Sequence, residues 1–219
     1  HMSGLERLVM VTILEHLKPR VAIEVGCAQG GSLQVIAAHA EKVYALDVDA
    51  TAPRRLSQFP NVEFRIGPSH TSLPGILAEL RLAQTPCSFI LIDGDHSTEG
   101  VKQDIHALLS VPPLARTYVL FHDSFNPEVR NGIRTADWNS SPHVHSVELD
   151  FVPGSFHSPT AELSRQMWSG FAIAMLLPER RTQPLRISAE QEMVFQHIYQ
   201  LSAHWAGTSS KLESQKARA

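Results

Sequence analysis

Apolar residues along the chain follow two rhythms that take turns. Over residues 4–17, Leu5, Leu8, Val9, Thr12, Ile13 and Leu17 recur at helical spacing, and Pro19 closes the pattern. "VAIEVG" (21–26) is a β-branched run ended by glycine, which predicts a buried strand. A helix is predicted over "SLQVIAAHAE" and a strand over "KVYALDVD". "VEFRIG" (62–67), "SFILID" and "TYVLFHD" predict the third, fourth and fifth strands. Helices over "LPGILAELRLA" and "EGVKQDIHALL" separate them, the second with Val101, Ile105 and Leu108 on one face. Another helix is expected across 127–138. "HVHSVELDF" and "GFAIAMLL" then predict two closing strands with only the Pro/Ser-rich 153–168 between them, so they should pair as an antiparallel hairpin at a sheet edge. Strand and helix alternate down most of the chain, which implies a parallel sheet wrapped by helices.

A chain of 219 residues suits one domain with a full core. The expected boundaries are 3–205, with an N-terminal helix at 4–18, a core at 20–178 and a C-terminal helix at about 189–205. Residues 206–219 form a polar, apolar-poor tail expected to be flexible. A net charge of -3 gives neither nucleic acid nor an anionic membrane a reason to bind. Two cysteines, Cys27 and Cys87, are too few for a disulfide framework. No apolar run approaches the ~20 residues of a membrane span. These features together lead to an expected cytoplasmic location.

The chemistry concentrates at strand ends. In "IEVGCAQGGSL" an acid and then glycines 26, 30 and 31 lead from a strand into a helix, where backbone can approach a ligand closely. Ala28 stands where a dinucleotide fingerprint would have its second glycine, which disfavours a pyrophosphate turn. A side chain at Gly26 should block such a pocket while leaving the fold largely intact. Asp47 closes the second strand at the place where a carboxylate can take both ribose hydroxyls, and Asp49 shares its face as the alternative. "FILIDGDHSTEGVKQDI" crowds Asp93, Asp95 and His96 behind an apolar strand, and "VLFHD" ends in His122 and Asp123. Carboxylates so placed repel unless something positive sits among them. If strands four and five are neighbours, Asp93 and Asp123 face one point, which suits a hard divalent ion such as Mg²⁺. A nitrogen ligand from His122 would move the preference towards Mn²⁺, Fe²⁺ or Zn²⁺. Either Asp95 or Ser97 could instead cap the following helix. His143 and His145 read as core-edge histidines, and Cys27 as a packing residue.

"EVGCAQGGS", "VYALDVD", "FILIDGDHSTEGVKQDI" and "VLFHD", in that order and spacing, resemble the class I S-adenosylmethionine (SAM)-dependent methyltransferases over residues 20 to about 178. The branch is similar to the metal-dependent O-methyltransferases of sugars and antibiotic glycosides, with their cephalosporin-hydroxylase-like relatives. The resemblance implies a Rossmann-like, doubly wound, mostly parallel seven-stranded sheet with a terminal antiparallel strand. It implies SAM as cofactor, held by Glu24, Gly26, Gly30, Ser32, Asp47, Ser69 and Asp93. It also implies a divalent metal, Mg²⁺ first, on Asp93, His122 and Asp123, although relatives often carry an acid at 122. Asp95 is the expected base and His96 its alternative. The expected activity is methyl transfer to a hydroxyl of a sugar, oligosaccharide or glycoside; a homodimer would be compatible. Metal-independent N- or O-methyl transfer and non-catalytic SAM binding are the competing readings.

Overall fold

The structure, a computed structural model, describes residues 2–157, 165–199 and 201–202. Five parallel strands make its centre: β1 (Val21–Val25), β2 (Lys42–Asp47), β3 (Val62–Ile66), β4 (Cys87–Ile92) and β5 (Thr117–His122). β6 (Val144–Val152), β7 (Ser155–His157), β8 (Gln166–Trp168), β9 (Phe171–Leu176) and β10 (Arg186–Ser188) follow in the chain. Among the described residues the main sheet has the order β10-β6-β9-β5-β4-β1-β2-β3. β9 runs antiparallel to both β5 and β6, as the apolar pattern predicts. The sheet has eight strands where seven were expected: Arg186–Ser188 adds a parallel edge beyond β6, too short and polar to show as an alternating run. β7 and β8 form a small separate hairpin within the Pro/Ser-rich stretch. β1 and β4 are adjacent although the chain proceeds from β1 outward in the other direction, so the strand order reverses between them. That reversal opens a crevice at the carboxyl ends of the strands.

Helices α1 (Gly4–Leu17) and α2 (Gly31–His39) cover one face of the sheet; α4 (Ser69–Leu82), α5 (Thr98–Leu109) and α6 (Pro127–Thr135) cover the other. α3 (Ala52–Arg55) is a single turn after β2, and a 3₁₀ turn at Trp138–Ser140 follows α6. β4 is buried along most of its length on both faces, which is why "CSFILI" is a continuous apolar run. In α5, Val101, Ile105 and Leu108 are buried as their spacing requires, and the Ser97 side chain caps the helix by accepting the Gly100 N–H at 3.1 Å.

α1 forms where expected and turns a different face inward. Met10 and Leu14 are buried with Glu6, while Leu5 and Leu8 are exposed. The reason lies far away in sequence: Glu6 finds partners around β5 and β9 that repay its burial. α7 (Glu192–Tyr199) is the described part of the predicted C-terminal helix. It is tied to α6 through Arg130, which pairs with Asp150 of β6 and Glu192, each at 2.8 Å. The polar tail 206–219 lies outside the described residues. Among the described residues no helix is long and apolar enough to cross a membrane.

Candidate active site

The glycine turn after β1 is held from two sides. Gly26 has φ +84°, and a Cβ there would fall on the backbone carbonyl of Asp93. β1 and β4 therefore touch backbone to backbone at this point, and the Asp93 N–H donates to the Val25 carbonyl at 2.8 Å. Substitution at Gly26 consequently strains the fold as well as the ligand space, contrary to the sequence-based expectation. Asp47 Oδ2 accepts the N–H groups of Cys27 (3.0 Å) and Ala28 (3.2 Å), and Arg55 of α3 donates to the Ala28 carbonyl at 2.5 Å. Gly30, at φ +79°, begins α2 and packs against Leu56, 2.6 Å from where a Cβ would lie.

A cleft of about 520 Å³ runs along the carboxyl ends of β1, β2 and β4. Gly26, Asp47, Ser69 and Asp93 line it together with Asp95 and His96, whereas Glu24, Gly30 and Ser32 do not. Asp49 is turned aside into an ion pair with Arg55 (2.6 Å), which holds its carboxyl at about 2. Of the two, Asp47 is therefore the acid that faces the cleft; its Oδ1, which takes the Asp49 N–H at 2.9 Å, keeps a lone pair free. Glu24 and Ser32 are in contact with each other: the Ser32 hydroxyl donates to Glu24 Oε1. Glu24 Oε2 is buried without a partner. Burial, helped by the charges of Asp93 and Asp47 and opposed by Ser32, pushes the Glu24 carboxyl up to about 8.

One acid here escaped the sequence reading. Asp104 of α5 lines the cleft, takes a hydrogen bond from the Ser69 hydroxyl, and keeps Oδ2 buried without a partner. Its burial raises its pKa against the effect of Ser69. The signal was available, because Asp104 sits three residues after Val101 on the apolar face of its helix.

At the end of β4 and β5 the predicted ligands converge. Single atoms of Asp93, His122 and Asp123 lie within 4.8 Å of one another. His122 Nδ1 is 3.1 Å from Asp93 Oδ1 and 3.4 Å from Asp123 Oδ2. His96 Nε2 is 3.1 Å from Asp123 Oδ2 and 3.5 Å from Asp93 Oδ1. The His122 ring also meets Glu6, whose Oε1 lies 3.1 Å from Nε2, off the line of a straight hydrogen bond. Sequence reasoning did not find Glu6, since nothing local marks a helix acid as the partner of a strand histidine. Burial opposes charge on the His122 ring, but the neighbouring carboxylates of Asp123, Asp93 and Glu6 win and push it up to about 12. Asp123 and then Asp93 raise His96 to about 9. Burial works against the ionised forms of Asp93 and Asp123, yet the two imidazoles hold both carboxyls below their usual range. Glu6, Asp93 and Asp123 thus surround the rings of His96 and His122.

Asp123 adopts φ +54° and Ser169 φ +66°, and the Ser169 N–H donates to Asp123 Oδ1 at 2.5 Å. Such strained residues gather where geometry is held for function. Trp168 stands edge-on to His96 with ring centroids 5.5 Å apart. Asp95 does not join the cluster. Its Oδ1 accepts the Ser97 N–H at 2.7 Å and its carboxylate lies against Gly100, at the first turn of α5. His143 and His145 bind the carbonyls of Leu177 and Glu179 and are structural. Cys27 is buried, and its thiol is raised by that burial.

The buried Glu24 makes stability depend on pH. Its carboxyl is neutral in the folded protein up to about 8 but ionises in the unfolded chain at the usual carboxylate range. Its contribution is complete below that range and is lost as pH rises through 8, on the order of 1.4 kcal/mol per pH unit. Glu24→Gln should therefore flatten the fall in Tm between pH 5 and 9 relative to the parent. Parallel curves for the two proteins would contradict the assignment.

Residues 23–124, just under half of the chain, match the model of a methyltransferase-domain family. Among solved structures the chain is similar to an O-methyltransferase from Bacillus cereus in complex with SAH. The TM-score is 0.57 at 16% identity, over 80% of this chain and 82% of that one. It is also similar to the O-methyltransferase TomG from Streptomyces achromogenes, involved in tomaymycin synthesis and in complex with SAM. There the TM-score is 0.58 at 14% identity, over 81% of this chain and 82% of that one. No curated protein matches the chain significantly. The chain shares the Rossmann-like α/β fold of these two O-methyltransferases.

Proposed function

We propose that a chain with this fold, acids and cleft is a SAM-dependent O-methyltransferase assisted by a divalent metal. Its acceptor is a hydroxyl of a sugar, oligosaccharide or glycoside. The observation that carries the cofactor reading is the charge of the cleft: Asp47, Asp93, Asp95 and Asp104 line it, with no lysine or arginine. Such a surface repels phosphates and favours a cofactor that brings a sulfonium, an ammonium, ribose hydroxyls and an exocyclic amine. The buried, unpartnered Oδ2 of Asp104, which lines the cleft, is an acceptor available to such donors. In this reading Asp47 takes the ribose, Ser69 and Asp104 the adenine end, and Gly26 gives the backbone room.

The metal reading rests on the convergence of Asp93, His122 and Asp123 beside that cleft. These donors suit a divalent ion, which when bound would supply Lewis acidity to an acceptor hydroxyl, while SAM supplies the activated methyl group. The protein's remaining work is to align the acceptor and take a proton. His96 is placed for the proton, since its Nε2 points at both acids, whereas Asp95 is committed to the turn before α5. Pairing with those acids keeps His96 protonated near neutral pH; a cation that engages them leaves the ring free to accept. Trp168 beside His96 offers an aromatic edge and face to the ring of an acceptor.

The test is a methyl-transfer screen of glycoside and phenolic hydroxyl acceptors, with and without divalent metal. Transfer that needs metal and a sugar hydroxyl supports the proposal. Full activity in excess EDTA would leave the metal-independent alternative. For the base, His96→Asn should lower single-turnover rates by the ~10²–10⁴ usual for loss of a general base. Asp95→Asn should cost less, and the reverse order would restore Asp95 to that role.

A further inference from the structure

We propose that the centre at the ends of β4 and β5 takes a divalent transition metal in preference to Mg²⁺, and that Glu6 makes it so by holding His122 as a nitrogen donor. This inference rests on the metal-assisted reading above and sharpens it.

The two nitrogens of His122 face separate carboxylates. Nδ1 points at Asp93 Oδ1 and Asp123 Oδ2, while Nε2 points away from them towards Glu6 Oε1. The ring is 2% exposed at its side chain and Glu6 0%, so water competes for neither. Glu6 is itself fixed. Its Oε1 accepts the Gly170 N–H at 2.7 Å and its Oε2 the Ser3 N–H at 2.5 Å, within the capping box of α1. Phe171 packs edge-on against the His122 ring, centroids 5.5 Å apart, and sets its plane. A carboxylate behind an imidazole keeps the proton on the nitrogen it faces and leaves the other lone pair for a metal. An imidazole nitrogen joined to two carboxylates suits Mn²⁺, Fe²⁺, Co²⁺ or Zn²⁺, whereas Mg²⁺ favours oxygen throughout. A histidine in this position would be a poor choice for a magnesium centre.

The full chain, freed of metal with EDTA and dialysed, is titrated calorimetrically with Mn²⁺ alone and Mg²⁺ alone. Mn²⁺ should bind at least ~10-fold more tightly. Pulsed electron paramagnetic resonance of the Mn²⁺-loaded protein should show coupling to a directly bound ¹⁴N, lost in His122→Asn. Glu6→Gln should weaken Mn²⁺ binding by about 10–100-fold, the usual effect of removing the carboxylate behind a metal-bound histidine. Mg²⁺ binding as tightly as Mn²⁺, or Mn²⁺ bound without nitrogen coupling, would overturn the inference and leave metal assistance standing. Unchanged Mn²⁺ affinity in a folded Glu6→Gln protein would reduce Glu6 to a structural partner and overturn its assigned role. No binding of either ion would remove the metal-assisted reading itself and this inference with it. The ion comparison and the nitrogen coupling need only the parent protein, so they decide the question even if the variants fail to fold.

Discussion

Asp123→Asn should lower methyl transfer by about three orders of magnitude, the several kcal/mol that a Lewis acid contributes to a developing oxyanion. Asp93→Asn should do nearly the same. The two acids share the atoms that meet His122 Nδ1 and His96 Nε2, so neither can replace the other. Asparagine keeps the shape and, at 123, still offers an oxygen to the Ser169 N–H. Loss of activity should therefore come with a folded protein and SAM affinity within a few-fold of the parent. Steady-state rates with added Mn²⁺ and Mg²⁺, beside calorimetry for SAM, check this. Full turnover of both variants in excess EDTA would exclude a metal role for the pair.

Gly26→Ala should be the most damaging single methyl group. The left-handed backbone costs a non-glycine residue about 1–3 kcal/mol. Forcing β1 from the Asp93 carbonyl costs about as much again. In a domain of this size the sum lowers Tm by roughly 10 °C. The same displacement moves Asp93, so SAM binding and metal binding should fall together. A variant with parental Tm and parental affinity for both would show that the close approach of the two strands is unimportant.

The parallel core could be read in the sequence because β1, β4 and β5 are buried on both faces and so write themselves as apolar runs with acids just beyond the last residue. Asp47, Asp93 and Asp123 were visible for that reason: a carboxylate at the end of a buried strand has few structural excuses. Glu6 was not visible. It belongs to an amphipathic helix whose strongest apolar stripe, Leu5 and Leu8, faces water, and its partner lies 116 positions away. Asp104 could have been seen, since an acid within the Val101–Ile105–Leu108 face breaks the pattern that predicts the helix. β10 could not, because three residues at a sheet edge carry too little periodicity. Asp95 shows a different difficulty, as a helix-start acid and a proton acceptor look alike in sequence.

The hydrogen bond from the Gly170 N–H to Glu6 joins residues 164 positions apart. Contacts of such separation form late in folding, because the loop they close must first give up its entropy. β9 must insert between β5 and β6 before Gly170 reaches Glu6, so a chain still emerging from the ribosome has Asp93, His122 and Glu6 but lacks the Gly170 N–H and the Phe171 ring that hold Glu6 and the histidine in place. On the proposed metal reading, maturation of the centre is thereby tied to closure of the whole sheet. A partly folded chain, or one whose β9 has gone to a neighbour, should have no competent ion site. Metal uptake during refolding, followed beside the burial of Trp138, would then trail the main folding phase and report the moment at which Glu6 and Gly170 meet.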